Sequence, residues 1–358
     1  MWIQVSVLPA QPTVSFPSSS LSRLRRIEPE TSEGSSALAP SSPTSSATVG
    51  CAGSTDTWIH IDAARESAAE GAITLAVTVS GGQGGHSGMG IALGRSNAVK
   101  ALGRALREAL AETPFRLVSF GGGKSRNAIP RDAAAVVSVP AGGEDAFRAA
   151  VEKAGAGISD AFAKTDPGVS VSVGAAEDGT EPWTDDATAM LLDAVALVPT
   201  GPIALSPDFD DLVETSTSLG EAITEGDRLT LHSLSRSSNE SAMPDLIGTF
   251  DAVRRLTAGE LEVKVNYGGW RPDLDSKALA VARSVYERQF GEAPIVTAVH
   301  AGLETAVVGS KVPGLDMLSF GPQIEFPHSP DERVSVPTVE RFWQLLVAFV
   351  DEMSTPRR

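Results

Sequence analysis

Between residues 73 and 173 the hydrophobic period switches from two residues to 3.6 and back in a fixed order, which leaves few ways to fold. Ile73, Leu75, Val77 and Val79 alternate with Thr74, Ala76, Thr78 and Ser80, the pattern of a half-buried strand. A Gly-rich segment, GGQGGHSGMG, follows. Val99, Leu102, Ala105, Leu106 and Leu110 then mark one face of a helix that starts near Ser96. Strands are predicted near 115–120 and 133–139, a helix over 144–164 and a strand over 169–173. The order β-α-β-β-α-β is that of a ferredoxin-like, split βαβ unit. The first and last of these strands must then lie in one sheet.

The rest of the chain reads as α/β. A helix is expected over 184–198, a loop through SPDFDDLVETSTSLG, a strand over 229–234, a helix over 242–256 and a strand over 261–265. Helix and strand then alternate over 276–289, 295–299, 303–309 and 315–320. In the closing helix Val339, Phe342, Trp343, Leu346, Phe349, Val350 and Met353 share a face. This tail has the look of half of a layered α/β domain. The opening differs: Ser and Pro crowd SFPSSSLSRLRR and SSALAPSSPTSSAT without any period, which predicts a flexible leader. Arg23, Arg25 and Arg26 follow the mildly apolar start instead of preceding it, the wrong order for a secretory signal.

Composition narrows the function classes. A net charge of −16 argues against a nucleic-acid partner, because phosphate binding needs clustered Lys and Arg. One cysteine, Cys51, allows no intrachain disulfide and no Cys-rich zinc knuckle, and suits a reducing, cytoplasmic compartment. No apolar run approaches the ~20 residues of a membrane span.

Candidate chemistry rests on five histidines and a few polar segments. His86 sits in GGHSG, where flanking glycines let the backbone approach a ligand and aim one side chain outward; a plain Gly-rich turn is the other reading. His328, in PHSPDERV, follows a strand's carboxyl end, where α/β sites gather ligands; an ordinary loop histidine is the alternative. His60 and His232 read as strand positions and His300, in AVHAGLE, as a buried, hydrogen-bonded histidine. GGGKS lacks the upstream Gly of a phosphate loop, since that position is Val118. DFDDL lacks calcium-loop spacing, and there is no GxSxG nucleophile elbow. GGGKSRNAIPR places Asn127 beside Arg126 and Arg131, and SLSRSSNES puts Arg236 at a strand end, where a guanidinium can hold a carboxylate.

From VGCAGSTDT at Val49 onward, GGHSGMGI, GRSNAVK, LVSFGGGKSRNAIPRDA, VETSTSLG, SLSRSSNES, YGGWRPD, AVHAGLE, VPGLDMLSFGP and PHSPDERV occur in this order. In this the chain resembles the aminoacyl-histidine dipeptidases, also called cytosol non-specific dipeptidases, of the zinc aminopeptidase/carboxypeptidase clan. The resemblance implies a layered α/β catalytic domain that binds two zinc ions, with an inserted lid that the ferredoxin-like reading matches. It implies that His328 is a zinc ligand and that His86 stabilises the oxyanion, from its own or a neighbouring subunit of a homodimer. Asn127 and Arg236 would hold polar groups of a dipeptide, Arg236 its carboxylate. The domains would be a leader over 1–48, a remnant of the amino-terminal catalytic half over 49–70, the lid over 71–265 and the carboxyl-terminal part of the catalytic domain over 266–358.

The family's H-x-D pair, bridging Asp, Glu-Glu pair and further Asp ligand have no counterpart in this sequence. One histidine cannot hold two metals, and a metal-bound water needs a carboxylate to take its proton. A truncated or frameshifted reading, with a foreign leader before an authentic carboxyl-terminal part, accounts for this, and so does an inactive relative. Three readings stand at this point. They are a zinc-dependent dipeptidase, a catalytically inactive protein that binds or dimerises through its lid, and an unrelated soluble α/β enzyme with a pocket around Arg236 and His328.

Overall fold

The computed structural model describes residues 2–5, 46–177, 179–325 and 331–354. In chain order the strands begin with β1 (Trp2–Val5), β2 (Ser46–Cys51), β3 (Gly53–Asp62), β4 (Ile73–Ser80) and the short β5 (Gly85–His86). Helix α1 (Ala98–Leu110) is followed by β6 (Arg116–Gly122), β7 (Ala128–Ile129), β8 (Ala133–Val139), α2 (Glu144–Ala161), β9 (Ser170–Ala175) and α3 (Asp185–Leu197). Then come β10 (Gly201–Leu205), β11 (Val213–Glu225), β12 (Arg228–Ser237), α4 (Met243–Leu256), β13 (Glu260–Tyr267), α5 (Lys277–Phe290), β14 (Ile295–Val299) and α6 (Glu304–Gly309). The described chain closes with β15 (Met317–Phe320), β16 (Ile324–Glu325), β17 (Arg333–Val334) and α7 (Val336–Ser354).

Two compact units result. The larger comprises Gly50–Pro272 and Ala298–Lys311, and the smaller Met1–Val49, Asp273–Thr297 and Val312–Arg358. The larger unit holds a nine-stranded sheet in the order β13-β3-β12-β11-β6-β8-β4-β9, with β10 paired to β11. Within it, β6-β8-β4-β9 is the ferredoxin-like order that the periodicity implied. β4 lies antiparallel between β8 and β9, with Val77 opposite both Ala135 and Val173. Helices α1 and α2 cover this half. Val99, Leu102, Ala105 and Leu106 of α1 are buried, and burying a Leu or Val side chain stabilises by about 1.5–3 kcal/mol. Asn97 caps α1 by accepting from the Val99 and Lys100 amides, and its Nδ2 donates to the Leu219 carbonyl at 2.8 Å.

One expectation is overturned. The segment VETSTSLG, read as loop, is the core of β11, which pairs with β12 from Thr215↔Ser237 to Glu225↔Arg228. Small hydroxyl residues replace the usual apolar alternation there. Thr215 bonds Ser237 at 2.8 Å, and Ser235 donates to Thr217 at 3.0 Å. Along β12, Leu229 and Leu231 point to the helix-covered core, while His232 and Arg236 lie on the opposite face of the sheet.

In the smaller unit β1 pairs parallel with β15, and β15 pairs antiparallel with β2. The stretch read as a leader thus carries a strand at either end, and residues 6–45 lie outside the described ones. Helix α5 follows its predicted span closely; in α7 Leu345 and Phe349 are buried, whereas Val339, Trp343 and Val350 of the expected apolar face are exposed. Among the described residues no helix is long and apolar enough to cross a membrane.

Candidate functional site

The Gly-rich segment between β4 and α1 is tied down at its base by one carboxylate. Asp166, fully buried, accepts from the Gln83 amide at 2.9 Å, the Ser96 amide at 3.1 Å and the Ser96 hydroxyl at 2.6 Å. Between these anchors Gly84 and Gly85 take positive φ values of 62° and 140°, which side chains other than Gly rarely adopt. The segment then turns back as β5, pairing with β7 so that His86 lies opposite Ala128. The Ser87 amide donates to the Asn127 carbonyl at 2.8 Å.

His86 is held in one tautomer. Its Nδ1 accepts from the Gly88 amide at 3.2 Å and the Met89 amide at 3.1 Å, so a neutral ring carries its proton on Nε2. Asn127 lies at the foot of the same ribbon, its Oδ1 accepting from Ser125 Oγ at 2.7 Å.

Arg236 is buried on β12 between Ser216 of β11 and Ser54 of β3, and among the described residues its Nε has no hydrogen-bond partner. His300 lies beside it. Its Nε2 is 2.7 Å from Ser216 Oγ, and burial, reinforced by the Arg236 charge, pushes its pKa down to about 4. Gly88 joins the two clusters. A Cβ there would sit 2.3 Å from the His300 carbonyl and 3.0 Å from Arg236 Cδ and Nε, so only Gly lets the His86 turn close onto Arg236.

The structure therefore brings together His86, Asn127 and Arg236 from three distant sequence segments, and adds His300 and Ser216. His300 is buried and hydrogen-bonded, as its sequence context indicated; its place beside Arg236 was not foreseen. The signal available was its position at a strand's carboxyl end in AVHAGLE. His328 lies outside the described residues. Among the described residues no group of three or more His, Cys, Asp or Glu could hold a metal ion. The described residues by themselves therefore supply no zinc centre.

Arg236, His300 and Ser216 thus form a buried polar cluster on the sheet face away from α1 and α2, with the His86 turn closed onto it. Residues 67–166 match the peptidase dimerisation domain family. The chain is 32% identical over 305 residues to the cytosol non-specific dipeptidase of Escherichia coli (strain K12), across 85% of this chain and 63% of that protein. It also superposes on the crystal structure of aminoacylhistidine dipeptidase from Vibrio alginolyticus with a TM-score of 0.81 and 34% identity. That match covers 88% of this chain and 64% of the other. The chain is thus a relative of these dipeptidases and spans less than two thirds of the length of either.

Proposed function

We propose that this chain supplies the substrate-gripping lid of a dipeptide hydrolase. The observation that carries this reading is Arg236, a buried guanidinium with an unpartnered Nε, beside a histidine held neutral at ordinary pH. A buried guanidinium nitrogen left unbonded is costly, and a planar carboxylate offers the two oxygens that a guanidinium holds best. The carboxyl terminus of a dipeptide fits this chemistry. His86 supplies the second half: an imidazole whose Nδ1 is held as an acceptor donates from Nε2 to the carbonyl oxygen as that oxygen gains negative charge during attack. Asn127, in the turn that leads into β7 and with its carbonyl bonded by the Ser87 amide, is the candidate to hold a further polar group of the peptide.

Attack by water needs an activating centre, and the dipeptidase relationship favours zinc with His328 among its ligands. The peptidase dimerisation domain match favours a homodimer, and the name of the Escherichia coli relative favours the cytoplasm. The test is calorimetric titration of the purified chain with a dipeptide and with the same dipeptide amidated at its carboxyl terminus. The free acid should bind more tightly than the amide. Arg236→Ala should weaken the acid by ~2–4 kcal/mol, and Arg236→Lys should recover only part of that. Equal binding of acid and amide to the wild-type chain would end the proposal.

A further inference from the structure

On the face of the sheet that carries Arg236, a chain of charged side chains runs across β11, β12 and β3 into the loop that bears Asn127. Asp56 on β3 is buried, and a buried carboxylate persists only when its oxygens are well bonded. Its Oδ1 meets His232 Nε2 at 2.8 Å, and its Oδ2 accepts from Asn266 Nδ2 at 2.7 Å and from the Arg126 guanidinium. The other ring nitrogen of His232 faces Glu221 Oε2 at 2.9 Å, and the ring stacks on Trp58 with centroids 4.4 Å apart.

This network ends on Arg126, whose neighbour Asn127 receives the Ser87 amide and leads directly into β7, which pairs with His86. Backbone contact closes the circuit from the other side. A Cβ on Gly220, next to Glu221, would lie 2.8 Å from the Arg126 carbonyl. Both ends of the Glu221–His232–Asp56 chain therefore bear on one residue, and that residue anchors the ribbon. A half-exposed arginine in a loop ordinarily gains little from an ion pair. Here its partner is an interior carboxylate fixed by two further groups, so the guanidinium is held in one place.

We propose that Asp56 and His232 are positioning residues for His86, acting through Arg126 and the β5–β7 ribbon. The proposal rests on the reading of His86 as a substrate-facing donor for its purpose, but its test does not depend on turnover. Arg126→Gln removes the tether from the half-exposed side and leaves the sheet interior intact; Asp56→Asn removes it from within. Both should speed amide hydrogen exchange at Ser87, Gly88 and Met89 by ~10-fold or more, while β4 and α1 keep wild-type protection. The 15N spectrum of the His86 ring should lose its single Nε2–H tautomer, and Arg126→Lys should restore part of both signals. If Asp56→Asn does not fold, Arg126→Gln decides alone. Unchanged exchange and tautomer in folded Arg126→Gln would overturn the proposal. So would loss of protection spread equally through β3 and β12, the mark of general destabilisation. An anion-binding titration that fails while His86 loosens as described would reject the dipeptide reading and leave the positioning role standing.

Discussion

Replacing His300 with Gln removes a titrating group from the interior of the site while keeping a side chain that can bond Ser216. In the folded protein the His300 pKa lies at about 4, against 6.5 for the free side chain, because burial and the nearby Arg236 charge oppose its protonation. The sign follows from proton counting. Above about pH 6.5 neither state binds the proton and His300 contributes nothing to pH dependence. As pH falls from about 6.5 to about 4 the unfolded chain takes the proton and the folded one refuses it, so stability drops. Two and a half pH units correspond to about 3 kcal/mol in full, of which about 2 kcal/mol is lost between roughly pH 7.5 and pH 5. Urea unfolding at those two pH values, followed by tryptophan fluorescence, measures it. Other groups titrate as well, so the informative quantity is the difference between proteins. Wild type should lose about 2 kcal/mol more than His300→Gln over the same interval. A dipeptide carboxylate bound at Arg236 should shrink that excess, because it offsets the guanidinium charge that opposes protonation. Parallel pH profiles for wild type and His300→Gln would refute the assignment of His300 as a histidine held neutral by its surroundings.

Gly88→Ala places a methyl 2.3 Å from the His300 carbonyl, so the turn must shift away from Arg236. Destabilisation of about 1–3 kcal/mol in urea and weaker dipeptide binding by calorimetry are expected together. Asp166→Ala leaves the Gln83 and Ser96 amides and the Ser96 hydroxyl without their shared acceptor. A stability loss of about 2–4 kcal/mol and faster proteolysis within residues 81–96 should follow, with unchanged proteolysis as the contrary result.

Much of the larger unit was legible because its signals are local. The alternation of Ile73, Leu75, Val77 and Val79 and the apolar stripe from Val99 to Leu110 each report a half-buried element from within one short window. The two periods in sequence then leave the ferredoxin-like order as the packing solution, and the sheet shows it. Strand β11 escaped because Thr215, Ser216, Thr217 and Ser218 are polar by type yet buried in fact. Their hydroxyls are satisfied in part by β12, a partner that no local window contains.

The site divides in the same way. The glycines around His86 and the Arg236 strand end were visible because backbone freedom and a guanidinium are properties of single residues. What they do was decided by strand pairing. His300 meets Ser216 across 84 residues and His232 meets Asp56 across 176, so neither the neutral histidine beside Arg236 nor the buried acid behind Arg126 could be read from neighbours in sequence. Periodicity records whether a residue is covered. Only the tertiary structure decides which charge covers it, because electrostatic partners are chosen by register between distant strands and not by position along one of them.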